Sequence, residues 1–158
     1  MQVNYNFDKY KGKNGIGKWF EKEVVEKALA ELERHHCCFQ HRFVDSAEAR
    51  NMVRGQPADY LLATQNEVYL IEAKATITGK NLQKSDMQPA QVAGMIRWGR
   101  AGHNSLILQY RKEDNRIHCY DGWKAADLIS NGGSLSVANN GSCGPEALAS
   151  ALLNYDFK

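Results

Sequence analysis

Apolar residues recur with two different periods along the chain, and each period predicts a different kind of secondary structure. Residues 17–35 carry apolar side chains at helical spacing, which predicts a first helix. Residues 38–44, 60–64 and 68–74 are rich in strand-forming side chains, and the dipeptide at 65–66 suits a tight turn between the last two. One helix followed by three strands is therefore expected.

The second half of the chain continues the alternation of helices and strands. Pro89 can open a second helix, where its missing N–H costs nothing, and Gly102 can end that helix. Residues 105–110 and 116–120 predict another hairpin. The order αβββαβ with a C-terminal tail predicts an α/β (α+β) fold with a mixed central sheet flanked by helices. Two shorter helices are expected, at 125–129 and 145–153.

Length and composition are those of an ordinary globular protein. With 158 residues, 43% of them hydrophobic, the chain suits one domain over residues 1–158. No run of about 18 apolar residues occurs, and the charged N-terminus lacks the apolar centre of a signal peptide, so we expect a cytoplasmic protein without a membrane segment. The four cysteines show no regular spacing, and His35–Cys38 are contiguous rather than spaced to converge on a zinc ion.

Charge is distributed unevenly, although the net charge is only +2. Residues 1–20 carry four Lys against one Asp, and residues 74–124 carry nine Lys or Arg against four acids. Residues 21–73 hold ten acids against six bases. Basic stretches that hold an anionic polymer, with acids kept for metal ions, would explain this division; solvated helix faces are the alternative.

The candidate chemistry concentrates in the first predicted hairpin. Glu72 and Lys74 point the same way, because side chains alternate along a strand. A two-residue turn pairs Thr64 with Glu67 and so places Asp59 opposite Glu72, with Cβ atoms about 5 Å apart. Two carboxylates this close repel each other unless a cation lies between them, and hard oxygen ligands favour Mg²⁺, with Mn²⁺ as a substitute. Lys74 would then orient the attacking water or stabilise charge on the phosphorane.

Two alternatives to this site stay open at this point. A three-residue turn would put Asp59 on the opposite face of the hairpin. An ordinary surface hairpin would also contain Glu72 and Lys74, because an ExK pattern occurs often by chance.

Helix periodicity adds further candidates. Glu21 lies at the centre of the apolar arc of the first helix and so faces the sheet, where it would serve as an indirect ligand or a second-metal ligand. Gln91, at the start of the second predicted helix, would reach the edge of the site or be an ordinary surface glutamine. Candidate DNA contacts are basic residues of the N-terminal lead, the polar connection and the loop after the active strand: Lys13, Lys18, Arg50, Arg54, Lys80 and Lys84.

Several segments together resemble a known group of nucleases. They are PAD (57–59), IEAKAT (71–76), QPAQVAGMIRWGRAG (88–102) and SLILQY (105–110), with the glycine-to-glutamate run at 17–21 before them and IHCYDGWKAADLISNGGSLSV (117–137) after them. Their order and spacing resemble the RecU-like and phage-type Holliday-junction resolvases, which have the restriction-endonuclease-like PD-(D/E)xK fold. The resemblance covers about residues 13–137, the predicted core, and leaves 138–158 as an extension of unknown role.

The resemblance implies a metal-dependent active site. Metal ligation would fall to Asp59, Glu72 and the main-chain carbonyl of Ala73, while Lys74 would be catalytic. The family also implies a homodimer that cuts symmetric strands of a four-way DNA junction in a bacterial or phage-infected cytoplasm. The implied catalytic set is Glu21, Asp59, Glu72, Lys74 and Gln91.

Two departures from the family bear on the substrate. An alanine separates Pro57 from Asp59, and the connection at 45–56 contains no recognisable form of the projecting stalk with which RecU proteins engage the junction centre. The VRR-NUC nucleases share the hairpin, the helix glutamine and the following strand. We therefore expect a Mg²⁺-dependent endonuclease of branched DNA, with a nuclease of linear, nicked or flapped DNA and a non-catalytic DNA-binding module as alternatives.

Overall fold

Six strands form one mixed sheet, in which spatial order follows chain order. The structure, a computed structural model, describes residues 1–12, 14–44, 55–136 and 141–154. Only β3 and β4 run parallel; every other pair of neighbours in this sheet is antiparallel. The strands are β1 (Phe39–Arg42), β2 (Tyr60–Ala63), β3 (Val68–Thr76), β4 (Asn104–Arg111), β5 (Arg116–Asp121) and β6 (Ser142–Cys143).

Helices cover both faces of the sheet and bury two apolar clusters against it. The first helix and the last helix pack on one face, and two helices from the middle of the chain pack on the other. The predicted order of elements and the mixed sheet flanked by helices are confirmed. The helices are α1 (Gly15–Trp19), α2 (Glu26–His35), α3 (Pro89–Arg100), α4 (Gly122–Ser130) and α5 (Leu148–Asn154). None of the helices in the described ranges is long and apolar enough to cross a membrane.

A wide turn interrupts the first helix. Between α1 and α2, the segment Phe20–Val25 is π-helical, and the amide of Glu26 donates to the carbonyl of Glu21 five residues back. The sequence predicts one uninterrupted α-helix here, so this turn is a difference from the prediction. It allows apolar side chains on both sides of the turn to reach the sheet. Segments of this kind occur often at functional sites.

The C-terminal extension completes one side of the core. Strand β6 pairs with β5 through Cys143 and Ile117, and α5 packs beside α2. Leu148 and Leu152 are buried in the same cluster as the first helix. Residues 141–154, for which the sequence suggests no role, therefore contribute buried apolar side chains to the core.

Strand β2 starts late relative to β3, and this offset creates space for a site. The register pairs Tyr60, the first residue of β2, with Ile71. Residues 72–76 of β3 therefore pair with β4 on one side, and no described strand pairs with them on the other. Among the described strands, the second half of β3 therefore has one unpaired edge, and a gap opens there although β3 is a central strand of the sheet.

Truncation of Leu152 to alanine tests the contribution of α5. Because Leu152 is almost fully buried, we expect Leu152→Ala to lower the free energy of unfolding by about 2–5 kcal/mol, measured by urea denaturation. Leu128→Ala on α4 is the control, since Leu128 is 47% exposed and its loss should change stability by less than about 0.5 kcal/mol. Equal effects of the two substitutions would contradict an integral role for α5.

Candidate functional site

An open cleft of about 860 Å³ lies at the unpaired edge of β3. Its walls come from α1 and the chain before it, the end of β1, the residue before β2 and the start of α3. The structure therefore brings together side chains that are far apart in sequence. Six residues that the sequence predicts for the site line this cleft: Lys18, Glu21, Asp59, Ala73, Lys74 and Gln91.

The register of the hairpin is the predicted one. The amide of Thr64 donates to the carbonyl of Glu67 over 2.8 Å, which closes a two-residue turn. The next pair beyond β2 in this register is Asp59 with Glu72. Oδ2 of Asp59 accepts a hydrogen bond of 2.9 Å from the amide of Ala73. The alternative three-residue turn, which would turn Asp59 to the other face, is therefore excluded.

Glu72 lies at the centre of the polar contacts behind the cleft. Its side chain is 0% exposed, so an ordinary surface pair is also excluded. Oε1 lies 2.7 Å from the ammonium of Lys74 and accepts a hydrogen bond of 2.6 Å from the amide of Gln91. Oε2 is buried and accepts no hydrogen bond from any described residue. Burial and then the charge of Asp59 raise the pKa of Glu72 to about 8, against the opposing effect of Lys74.

Lys74 already supplies a cation to the two carboxylates. Burial alone would lower its pKa, but the carboxylates of Glu72, Asp59 and Glu21 outweigh burial and raise it. The repulsion between Asp59 and Glu72 therefore does not by itself require a metal ion, in contrast to the expectation from the sequence. What the lysine leaves unsatisfied is Oε2 of Glu72.

The donors at this point fit a hard cation that keeps its own water. Among the described residues, no group of three or more His, Cys, Asp or Glu side chains is arranged to hold a metal alone. Mg²⁺, however, commonly binds through one or two carboxylates and retains several waters. Oε2 of Glu72 and the nearby carboxylate of Asp59 suit such an ion. The amide of Ala73 points to Asp59, and the carbonyl of a strand residue faces the same side as its amide.

Gln91 connects α3 to the buried carboxylate. Its side chain is only 6% exposed, so the surface alternative is wrong. While its amide nitrogen donates to Glu72, its oxygen accepts from the main-chain amide of Gln88 over 2.9 Å and lies 3.4 Å from the ammonium of Lys74. One glutamine thus fixes the start of the helix, the carboxylate and the lysine together.

Glu21 reaches the same cleft from the opposite face of the sheet. It lies in the π-helical segment, is half-buried, and lines the cleft together with Asp59. Burial and then the charge of Asp59 raise the pKa of Glu21, while the guanidinium of Arg42 opposes this rise. The inward direction predicted from helix periodicity is therefore observed.

The predicted DNA contacts fall into three groups. Lys18 is exposed at the rim of the cleft. Lys80 and Lys84 are exposed in the chain between β3 and α3, outside the cleft lining, and Lys80 pairs with Asp86 over 2.8 Å. The remaining candidates, Lys13, Arg50 and Arg54, lie outside the described residues.

Sequence reasoning missed several residues of the cleft. Arg42 lines it from the end of β1 and lies 3.5 Å from Glu26. Tyr10 lines it from the N-terminal segment, and its hydroxyl donates to Glu23 over 2.6 Å. In the sheet, Arg42 pairs with Tyr60, next to Asp59, but the long connection at 43–59 does not fix this register in the sequence. For Tyr10, we find no signal in the sequence either.

Close packing against α3 sets the position of the segment that leads into Asp59. A Cβ atom at Gly94 would lie 2.5 Å from Cβ and 2.8 Å from Cα of Pro57. Gly94 follows Gln91 by one helical turn, so this helix contacts both Glu72 and the segment that leads into Asp59. A side chain at position 94 would push that segment away.

Replacement of Gly94 tests this packing. We expect Gly94→Ala to lower the free energy of unfolding by about 1–3 kcal/mol in urea denaturation, as an overpacked contact does. Gly17→Ala in α1 is the matched control. No atom lies within 4 Å of a Cβ at Gly17, so this change should raise stability by about 0.5–1 kcal/mol. A Gly94→Ala protein as stable as the wild type would contradict this role of the close contact with Pro57.

The buried carboxylate predicts a pH dependence for the metal-free protein. Because folding raises the pKa of Glu72 from 4.5 to about 8, the folded state holds a proton that the unfolded chain releases. Its contribution to stability is complete below pH 4.5 and is lost as the pH rises through 8. We expect urea denaturation to show that Glu72→Gln reduces this loss by at least about 1 kcal/mol. Glu146→Gln, at an exposed position, should leave the profile unchanged; a wild-type profile in Glu72→Gln would contradict the assignment.

The similarity of the chain to known proteins lies in structure rather than in sequence. No family model matches the chain, and no curated protein sequence matches it. A solved structure that superimposes on it is that of Hjc from Archaeoglobus fulgidus, a Holliday junction resolvase from an archaeal hyperthermophile. The two chains are 12% identical and align with a TM-score of 0.45 over 81% of this chain and 96% of the other.

Proposed function

We propose that this protein is a Mg²⁺-dependent endonuclease that cleaves phosphodiester bonds in branched DNA, with four-way junctions as the preferred substrate. The observation that carries the proposal is the buried Glu72, which has one oxygen bound to Lys74 and Gln91 and the other unpaired beside Asp59. Most buried side-chain polar atoms have a hydrogen-bond partner, so an unpaired oxygen on a buried carboxylate calls for an explanation, and a bound cation is one. The preference for junctions rests on the sequence resemblance described above.

Asp59, Glu72 and the main-chain carbonyl of Ala73 would hold the metal ion. When bound, Mg²⁺ supplies positive charge that stabilises the phosphorane and activates water. Gln91 holds Oε1 of Glu72 and so keeps Oε2 directed toward Asp59. Glu21 borders the same cleft and would act through water or on a second ion. Mn²⁺ would substitute for Mg²⁺, because both prefer oxygen ligands.

Lys74 would act directly on the reacting phosphate. Its ammonium is partly exposed and lines the cleft, although it contacts Glu72. A cation that shares Glu72 with the metal ion can turn its remaining donors toward a phosphate oxygen or the attacking water. Lys18 and Arg42 add positive charge at the walls of the cleft, where the DNA backbone would enter.

A cleavage assay tests the proposal directly. Labelled four-way junctions and linear duplexes of the same sequence are incubated with the protein in Mg²⁺, in Mn²⁺ or in EDTA. We expect cleavage of the junctions with either metal and none in EDTA. Glu72→Gln and Lys74→Met should each lower the rate at least about 100-fold, whereas Lys124→Met, at an exposed position on α4 outside the cleft, should retain it.

The possible outcomes separate the parts of the proposal. Cleavage of duplexes with uncut junctions would exclude a resolvase and leave a nuclease of linear DNA. Full activity of Glu72→Gln would overturn the site assignment. Tight junction binding without any Mg²⁺ binding in calorimetry would point to a non-catalytic module. A homodimer is expected in sedimentation, because symmetric cleavage of a junction needs two sites; a monomer would favour nicking.

A further inference from the structure

An exposed isoleucine follows the active strand directly. Ile77 comes just after Thr76, the last residue of β3, and it is 64% exposed, the largest value for any large apolar residue in the described part of the chain. Single exposed apolar residues are common on protein surfaces. Ile77 differs from the other exposed apolar residues in its position beside the active strand and in the hydrogen bonds that fix its loop.

The position of Ile77 relates it to the cleft. Ala73 and Ala75 line the cleft on one side of β3, and strand alternation continues their row to residue 77. Lys74 lies three residues earlier, which corresponds to about 10 Å along an extended chain. This spacing matches roughly three nucleotide steps of DNA. Lys74 itself points to the other side of β3, so it is nucleic acid following the row of Ala73 and Ala75 out of the cleft that would extend past Ile77.

The loop that carries Ile77 is fixed at both ends. Gln109 on β4 is 0% exposed, and its amide nitrogen donates to the hydroxyl of Thr76 over 3.2 Å and to the carbonyl of Lys80 over 3.0 Å. Its oxygen accepts from the hydroxyl of Tyr120 over 2.8 Å. A buried glutamine thus uses both amide hydrogens to hold this loop. Little conformational entropy would be lost when the loop binds a ligand.

The loop also lies close to the β4–β5 hairpin. A Cβ atom at Gly79 would lie 2.3 Å from Nη2 of Arg111 and 2.6 Å from Oε2 of Glu113. Both atoms are the ends of flexible side chains that extend from the β4–β5 hairpin. The hairpin therefore supports the loop from one side, and Ile77 is held outward rather than covered by its own chain.

The surroundings of Ile77 suit DNA. Lys80 and Lys84 are exposed in the segment that follows, and the ammonium of Lys80 is fixed by Asp86. Aliphatic side chains that insert at base steps unstack the bases next to them. The cost of unstacking is least where bases are already unpaired or mismatched. A rigid aliphatic residue flanked by lysines fits the exposed base faces at a branch point.

We propose that Ile77 is a specificity-determining residue that packs against a base at a DNA branch point and so favours branched over linear DNA. This inference rests on the proposed nuclease function and gives a physical basis for the choice of substrate. Gln109 acts on it only as a positioning residue.

The test measures unstacking and binding rather than cleavage. A four-way junction carries the fluorescent base 2-aminopurine at its branch point, and all proteins carry Glu72→Gln so that the DNA stays intact. Binding should raise the fluorescence, and Ile77→Ala should abolish that rise. The ratio of junction affinity to duplex affinity should fall roughly tenfold, as expected from the loss of one packed aliphatic side chain. Ile77→Leu should preserve both, and so should Leu128→Ala, at an exposed apolar position on α4.

The outcomes distinguish this inference from the proposed function. If the wild-type chain cleaves junctions in Mg²⁺ while Ile77→Ala keeps the fluorescence rise and the affinity ratio, the inference alone is overturned. If no DNA is cleaved in Mg²⁺ but the fluorescence rise depends on Ile77, the contact is supported and the nuclease function fails. An equal loss of affinity for junctions and duplexes in Ile77→Ala would also overturn the inference.

Discussion

The carboxylate of Glu72 lies inside the protein, where ionisation is costly, and neighbouring elements supply the groups that offset the cost. Lys74 from the same strand provides a positive charge, and Gln91 from α3 provides an amide hydrogen. Asp59, from the residue before β2, adds a second acid beside them. The site therefore forms only when the hairpin, the sheet and α3 have packed together. Any change in that packing alters the pKa of Glu72 as well as its geometry.

The parts of the site that the sequence predicts are those fixed by local geometry. A two-residue turn determines which residues of β2 and β3 face each other, so the pairing of Asp59 with Glu72 follows from counting along the hairpin. Helix periodicity also predicts the inward direction of Glu21, although it does not predict the π-helical turn in which this residue lies. The order of helices and strands is also local, since it depends on the period of the apolar residues.

The parts that the sequence does not predict depend on contacts between distant segments. Strand β6 has two residues and exists because β5 pairs with it, so no periodicity marks it. Pro57 packs against Gly94, and the side-chain amide of Gln109 donates to the carbonyl of Lys80. Each contact joins segments that are far apart along the chain. The direction of Lys74 is a further case. The ExK pattern indicates a shared face with Glu72, but the direct contact of 2.7 Å depends on how deeply α3 buries the pair.

The π-helical turn at Phe20–Val25 has a consequence for the evolution of the first helix. A turn with hydrogen bonds to the fifth residue back corresponds to one residue inserted into an α-helix, and each residue of an α-helix advances the side chains by about 100°. The two halves of the helix are therefore out of phase. Deletion of a single residue within the turn would bring them into phase, keep α2 on the core and rotate Lys18 away from the cleft. Length variation at this point would separate proteins that share this fold but not this chemistry.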